Sequence, residues 1–454
     1  MSAEFRTIDR DTPMLMPASI QEWLPDQHLA RFVVEIVDQL DLSELTSRYG
    51  GGGKQAYHPA LLVALLFYGY ATGVFSSRKL EQATYESVAF RYISADRHPD
   101  HDTIANFRKR FLVELEGLFK QILVLASAMG VLRLGSVSLD GSKIQGNASK
   151  HKAMSWGYAN KLEKQLEQEV QQLLELAERA DGDSEAQQAA LDIPAELQRR
   201  EQRLAAIQDA KEKIAERAQE RYEAEQAEHE SKLEQRRERQ AATGKKPRGR
   251  PPQKPEAGPK DKDQVNFTDE QSRIMPASGG EFVQGYNAQA VVEHDSHLVV
   301  GTHVSQAPND KQEVEPALNE LAKVAEEVGT PQVIVADAGY HSKENVERCE
   351  RQGIEPYIAG SREHHNQPLA QRMQAPAACP ADADAVTAMQ YRLQTAAGKA
   401  IYSKRKATVE TVFGVIKEVL GFRRFHLRGV QAVRGEWSLV CTAWNLKRLY
   451  VLAG

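Results

Sequence analysis

The sequence predicts a mixed α/β protein: a helical N-terminal part precedes a sheet, and a long charged helical hairpin interrupts that sheet. Three observations predict it. Apolar residues recur at helical spacing through the first 130 residues. Alternating, strand-like patterns start near Leu134 and resume at Phe282. Between them, residues 158–240 carry helical periodicity alone. A chain of 454 residues has room for about three domains and a sizeable core. Its 41% hydrophobic and 27% charged content excludes wholesale disorder and fibrous classes. The three cysteines, Cys349, Cys379 and Cys441, are too scattered for a disulfide scaffold or a cysteine zinc site, so a reducing, cytoplasmic setting is expected. The opening MSAEFRTIDRD lacks the apolar stretch of a secretory signal. The one long apolar run, residues 60–75, is shorter than the ~20 residues a membrane span needs, so no membrane partner is expected.

Residues 1–130 read as an all-α domain. Ser19 followed by Glu22 is a capping-box pattern leading into Leu29, Phe32, Val33, Ile36, Val37 and Leu40 on one helical face. The glycine run at 50–53 breaks the chain, and Pro59 restarts it as a buried helix, proline being favoured in the first turn. A short polar helix opens at residues 76–80, and another at Asp102-Thr103 carries Asn106, Arg108, Lys109 and Arg110. Short helices ending in a basic one suit a helix-turn-helix DNA reader, and suit a plain bundle with a charged face equally well.

Residues 131–157 begin the sheet, with apolar and polar residues alternating over 134–144 around Asp140-Gly141. The insertion spans 158–243. Leu162, Leu166, Val170, Leu173 and Ala177 form one stripe, and Leu197, Leu204, Ile207, Lys211, Ile214 and Ala218 a second. Residues 181–184 and Pro194 separate the two, giving an antiparallel, coiled-coil-like hairpin with its own small core. A Pro-, Gly- and Lys-rich linker, 244–265, is expected to be disordered. Its residues 246–251 resemble an AT-hook, in which an Arg-Gly-Arg core (here Arg248 and Arg250) lies along a narrow A·T minor groove; short basic linkers without function share this composition.

From 266 to 454 the sheet resumes. Strands are expected at 282–292, at 298–304, along the apolar run 333–340 that ends in Asp337 and then Gly339, and at 355–358, with helices bearing Val314, Leu318, Leu321 and Val324, and over 343–352. This order lets the Asp140 and Asp337 strands lie side by side. The end of the chain is basic. Residues 399–454 hold eleven lysines and arginines against three acids, although the whole chain has a net charge of −5. A local polyanion surface follows from that asymmetry, as would a solvated helix face.

Asp140 and Asp337 each end an apolar run and are followed closely by glycine, and Glu410 lies beside the helical stripe Val409, Val412, Phe413 and Ile416. An acid aimed at the apolar side of a helix is costly unless paired or metal-bound. Three convergent carboxylates supply the hard oxygens that a two-Mg²⁺ phosphoryl-transfer site needs, with ions about 4 Å apart. Arg405, Lys406 and Lys417 suit the neighbouring phosphates. The plainer alternative makes both aspartates turn formers and pairs Glu410 with Lys406 or Lys417. All three acids on strand, strand and helix together favour a site.

These residues resemble the bacterial insertion-sequence DDE transposases with a helical transposase N-terminal domain and a Y-(2)-R-(3)-E-(6)-K signature. The similarity rests on Ser138-Leu139-Asp140-Gly141-Ser142-Lys143-Ile144, on Val335-Ala336-Asp337-Ala338-Gly339-Tyr340, and on the stretch from Glu410 to Lys417. Gly421-Phe422-Arg423-Arg424-Phe425, Arg434-Gly435-Glu436-Trp437, residues 268–275 and Gly285-Tyr286-Asn287-Ala288-Gln289 extend it. The resemblance implies an RNase H-like catalytic fold and two Mg²⁺ (or Mn²⁺) ions held by Asp140, Asp337 and Glu410. It also implies cleavage that exposes a 3′-OH, followed by joining to target DNA. Lys417, at the E-(6)-K spacing, would contact DNA phosphate. Tyr402 and Arg405 keep the first spacing, yet four residues separate Arg405 from Glu410 and Lys406 stands at the three-residue position, so the phosphate role falls to either base. Relatives often carry a cysteine-rich stretch between the second aspartate and the glutamate; only Cys349 and Cys379 lie between Asp337 and Glu410, so no zinc is expected.

The implied partners are transposon-end and target DNA and a second copy of the chain, as a dimer in the synaptic complex, within the nucleoid. Two alternatives stay open: a transposase-derived DNA-binding protein that no longer catalyses, and an RNase H-like nuclease that never joins strands.

Overall fold

The computed structural model describes residues 19–49, 56–182, 192–244, 249–277, 280–360 and 378–454. The expected glycine break at 50–53, residues 183 and 184 of the hairpin break, and Arg248 lie outside the described residues. The chain forms two compact units, Met1–Gly146 with Ile274–Gly454, and Asn147–Arg273. Among the described residues no helix is long and apolar enough to cross a membrane.

Among the described residues, seven helices lead the first unit: α1 Leu29–Val37, α2 Ser43–Ser47, α3 Pro59–Ala71, α4 Ser77–Glu86, α5 Val88–Ile93, α6 His101–Arg110 and α7 Leu112–Ala128. Pro59 occupies the first turn of α3 behind the cap His58, and every residue from Leu62 to Ala71 is buried, so this helix is a core element rather than an amphipathic one. The Ser19 motif does less than the sequence suggests. Ser19 Oγ caps only a 3₁₀ turn, Ile20–Glu22, and Pro25 separates that turn from α1. The helix starts instead at His28, whose Nδ1 accepts from Ala30 N at 3.1 Å. Strand β1, Ser136–Gln145, ends this stretch.

The second unit holds β2 Ala153–Ser155, α8 Trp156–Gly182, α9 Ile193–Thr243 and β3 Gln264–Asn266. Helices α8 and α9 pack as the expected hairpin, and β2 pairs antiparallel with β3. Met154, Ala159, Leu162, Leu166, Ile207, Ala210, Ile214 and Val265 form a core of their own. Ala210, not Lys211, takes the inward position. Lys211 lies beside it, paired with Glu163 at 2.6 Å and 5.2 Å from the centre of the Trp156 ring. Gly244 ends α9 in the left-handed conformation, φ 67°. The tail of the expected linker is tied down rather than disordered. Arg221 binds the Asp263 carboxylate at 2.8 Å and donates to the Gly258 carbonyl.

The sheet of the first unit continues with β4 Arg273–Pro276, β5 Phe282–Glu293, β6 Val299–Ser305, β7 Val333–Ala336 and β8 Glu355–Ile358. Its order is β4-β5-β1-β7-β8, with β6 also paired to β5. Strand β1 is central, antiparallel to β5 and parallel to β7. Helices α10 Val314–Ala322, α11 Ala325–Val328, α12 Lys343–Arg351, α13 Ala385–Gln394, α14 Ala396–Ala407, α15 Val409–Gly414 and α16 Val430–Ala453 complete it. One hydrophobic core runs through the N-terminal helices, the sheet and α16. The single helix expected around Glu410 is broken. Thr408 adopts φ −102°, ψ −90°, its Oγ1 turned back to the carbonyls of Lys404 (3.0 Å) and Arg405 (3.1 Å), and beyond α15 the chain widens into a π-helical turn, Val415–Val419.

Close backbone approach fixes the β1–β5 pair at its far end. Gly285 faces Gln145, and a Cβ at Gly285 would meet the Ile144 carbonyl oxygen at 2.1 Å, an atom that cannot swing aside. Gly285→Ala is expected to cost roughly 2 kcal/mol or more, read by urea denaturation; a stability equal to wild type would contradict the packing.

Candidate active site

Asp140 lies in the middle of β1, not at a strand end as the Asp-Gly pair suggested, because the pairing with β5 carries the strand on to Gln145. On the other edge β7 stops at Ala336, opposite Leu139. Asp140 and Asp337 are therefore the next residues on two adjacent parallel strands. Asp337 caps the 3₁₀ turn Ala338–Tyr340, its Oδ1 accepting from Gly339 N at 2.8 Å.

Arg405 joins the strand acid to the helix acid. Its guanidinium donates to Asp140 Oδ2 at 3.0 Å and to Glu410 Oε1 at 2.8 Å. In an unbroken α-helix, residues 405 and 410 would point about 140° apart. The break at Thr408 removes that mismatch. Lys406, at the signature spacing, is exposed, so the out-of-register base is the one that reaches the acids. Tyr402 is close enough for its charge state to act on Arg405. Glu410 is not buried against the apolar stripe: its side chain is 45% exposed, so the expected desolvation cost does not arise. Lys417, on the π-helical turn, donates to Ser142 Oγ and sits 5.9 Å from the centre of the Phe413 ring. Ser138, Asp140 and Ser142 alternate along β1 and thus share one face. Ser138 meets the Thr408 hydroxyl at 3.2 Å and His294 at 2.8 Å.

Burial pushes the Asp140 carboxyl up to about 6. Arg405 and the Gly141 amide oppose the rise, and the charges of Asp337 and Glu410 add to it. Burial lowers the Lys417 ammonium, with Asp140 acting against the shift. Among the described residues no three His, Cys, Asp or Glu side chains stand ready to hold a metal ion. The positive charge among these acids is Arg405.

The opposite face of β1 carries polar residues to which the sequence reading gave no role, although Lys143, Asn287, Gln289 and Tyr340 lie in the stretches that carry the resemblance. Asp310, in the loop after β6, accepts from Lys143 (2.8 Å), Asn287 (2.7 Å) and Gln289 (2.8 Å) on the same oxygen. Tyr340 donates to Gln289 at 2.5 Å. A signal existed for two of them: Asn287 and Gln289 are polar residues at strand spacing inside an otherwise apolar run. Asp310 had none.

Comparison with known families now decides the matter. Residues 251–446 match the transposase DDE domain, and residues 18–110 match a transposase domain (DUF772). The chain belongs to the insertion-sequence DDE transposases. Comparisons with curated proteins and with solved structures return no match. Strand cleavage and transfer are the general activity of a transposase of this kind, and DNA is its substrate. Asp337, Glu410, Arg405 and Lys417 fall within the matched DDE domain, whereas Asp140 precedes it and is brought to it by the pairing of β1 and by Arg405. Helices α1 to α6 fall within the other match.

The raised Asp140 value has a stability consequence. Folding disfavours the ionised carboxylate, so the stability this group lends is present at low pH and lost as pH rises through about 6. Asp140→Asn is expected to stabilise the metal-free transposase at pH 8 by on the order of 2 kcal/mol. The advantage should shrink below pH 6 in thermal melts; a variant no more stable than wild type at pH 8 would contradict the desolvation account.

Proposed function

We propose that this transposase cuts and joins transposon-end DNA at Asp140, Asp337 and Glu410, on an RNase H-like core, with two Mg²⁺ or Mn²⁺ ions held by those carboxylates. One observation carries the reading: the two aspartates follow the paired residues Leu139 and Ala336 on adjacent parallel strands, and a single guanidinium ties the first of them to the glutamate. The sheet, with its first strand central between an antiparallel pair and two parallel strands, supports the RNase H-like assignment.

The donor set fits hard divalent cations, being three carboxylates with one of them desolvated enough to favour a positive neighbour. Such ions, when bound, activate the attacking oxygen and stabilise the leaving one. The chain's own residues do the rest. Glu410, exposed and on a short helix after a break, swings toward Asp140 and Asp337 once Arg405 turns to a DNA phosphate, which suits a planar guanidinium. Lys417 holds a second phosphate beside Ser142. Tyr402 steadies Arg405. Lys406 serves the DNA backbone from further out.

Arg250, exposed, and Arg248 form the AT-hook-like contact. A dimer would hold the two transposon ends together in the bacterial cytoplasm, at the nucleoid.

Mg²⁺-dependent cleavage and joining of the element's own ends by native protein, both abolished in Asp337→Ala, is the expected result. Unchanged activity would remove Asp337 from the mechanism, and cleavage without joining would favour a nuclease. Arg405→Ala is expected to lower cleavage about 100-fold while Lys406→Ala stays within about threefold of wild type, in single-turnover assays. The reverse ranking would return the signature role to Lys406.

A further inference from the structure

We propose that Asp310 is a positioning residue for strand cleavage, holding the middle of β1, which bears Asp140, against the turn after β7, which bears Asp337, through Lys143, Gln289 and Tyr340. The inference rests on the reading of Asp140 and Asp337 as the reacting acids. One carboxylate oxygen, Oδ1, gathers three donors from two strands: Lys143, three residues beyond Asp140 on β1, and Asn287 and Gln289 on β5. Gln289 passes the connection on. Its Oε1 accepts the Tyr340 hydroxyl, and Tyr340 closes the 3₁₀ turn that Asp337 caps. The chain of contacts runs without a gap from the Asp337 turn to β1.

Two further features show that the arrangement is built. Gly141, next to Asp140, lets Gln289 lie across β1: a Cβ there would meet Gln289 Nε2 at 2.1 Å, and Gln289 is fully buried. At Gly339 the space beside the backbone is shared, since a Cβ would stand 3.0 Å from Asp337 Oδ1 and 3.8 Å from Asp310 Oδ2. Asp310 thus leans on the turn that sets Asp337 while its other oxygen holds β1. The charges of Asp140, Asp310 and Asp337 all act on the Tyr340 hydroxyl, which places the network within the field of the site. Misplacing one strand end by about 1 Å is enough to cost about 100-fold in rate.

The test uses the full-length transposase with Asp310→Asn, which keeps the size but removes the negative charge that gathers the Lys143 ammonium and two amide donors on one oxygen, and Tyr340→Phe, which removes only the hydroxyl. Wild type and Asp337→Ala are the controls. Single-turnover cleavage of end DNA at saturating protein is expected to fall about 100-fold in Asp310→Asn and about tenfold in Tyr340→Phe. The double variant should be no slower than Asp310→Asn, because both changes cut one chain. End-DNA affinity and melting temperature should stay at wild-type values. Wild-type cleavage in Asp310→Asn, or multiplying effects in the double variant, overturns the assignment. So does a rate loss matched by lost DNA affinity or lower melting temperature, which would make Asp310 ordinary fold support. If Asp337→Ala cleaves like wild type, the reading of the acids fails first and takes this inference with it.

Discussion

The bridge from Arg405 to Asp140 and Glu410 is the constraint around which the site is arranged. A desolvated carboxylate beside two others is unfavourable unless a positive charge sits among them. The guanidinium meets that demand with two donors in a fixed plane, so it also sets how far apart the strand acid and the helix acid stand. A lysine, a point charge on a flexible stem, would neutralise the acids without fixing their separation. The broken helix at Thr408 and the π-helical turn beyond it are the local distortions that allow Arg405, Glu410 and Lys417 to serve one face of β1. π-turns are commonly found where a side chain has to be re-aimed at a functional site.

Strand β1 is the frame on which both faces depend. It pairs on both edges, so its backbone is fixed, and its alternation sends Ser138, Asp140 and Ser142 to one side and Gly141 and Lys143 to the other. The chain then leaves for the second unit and returns at β4. Loop-closure cost grows only slowly with length, so a sheet tolerates a long excursion between strands that pair. The second unit carries its own core and is thereby spared from competing for the first.

A buried carboxylate explains why the N-terminal helices and the sheet share one core. Glu436 on α16 is fully buried, and it accepts from the Tyr70 hydroxyl (3.2 Å) and from the amides of His426 (2.9 Å) and Leu427 (3.0 Å). Arg108 from α6 donates to Tyr70 at 2.8 Å. The segment so anchored includes Phe425, whose amide bonds the Gln145 carbonyl at the end of β1. A buried charge satisfied in this way tolerates no loss of partners, so helices, basic loop and central strand are held as one body.

Much of this was written in the order of residues. Periodicity alone separated helices from strands, located the hairpin over 158–243, close to the observed Trp156–Thr243, and put Asp140 and Asp337 on strands able to lie together, because burial of one face imposes its spacing on any chain that folds. The spacing around Glu410 carried the family resemblance. What the order of residues left open was which base meets the acids, whether Glu410 is buried, and that Asp310 belongs beside them. Those depend on a helix break, on exposure and on a loop folding back across a sheet. Each is fixed by contacts between residues far apart in the chain, which only the folded structure brings together.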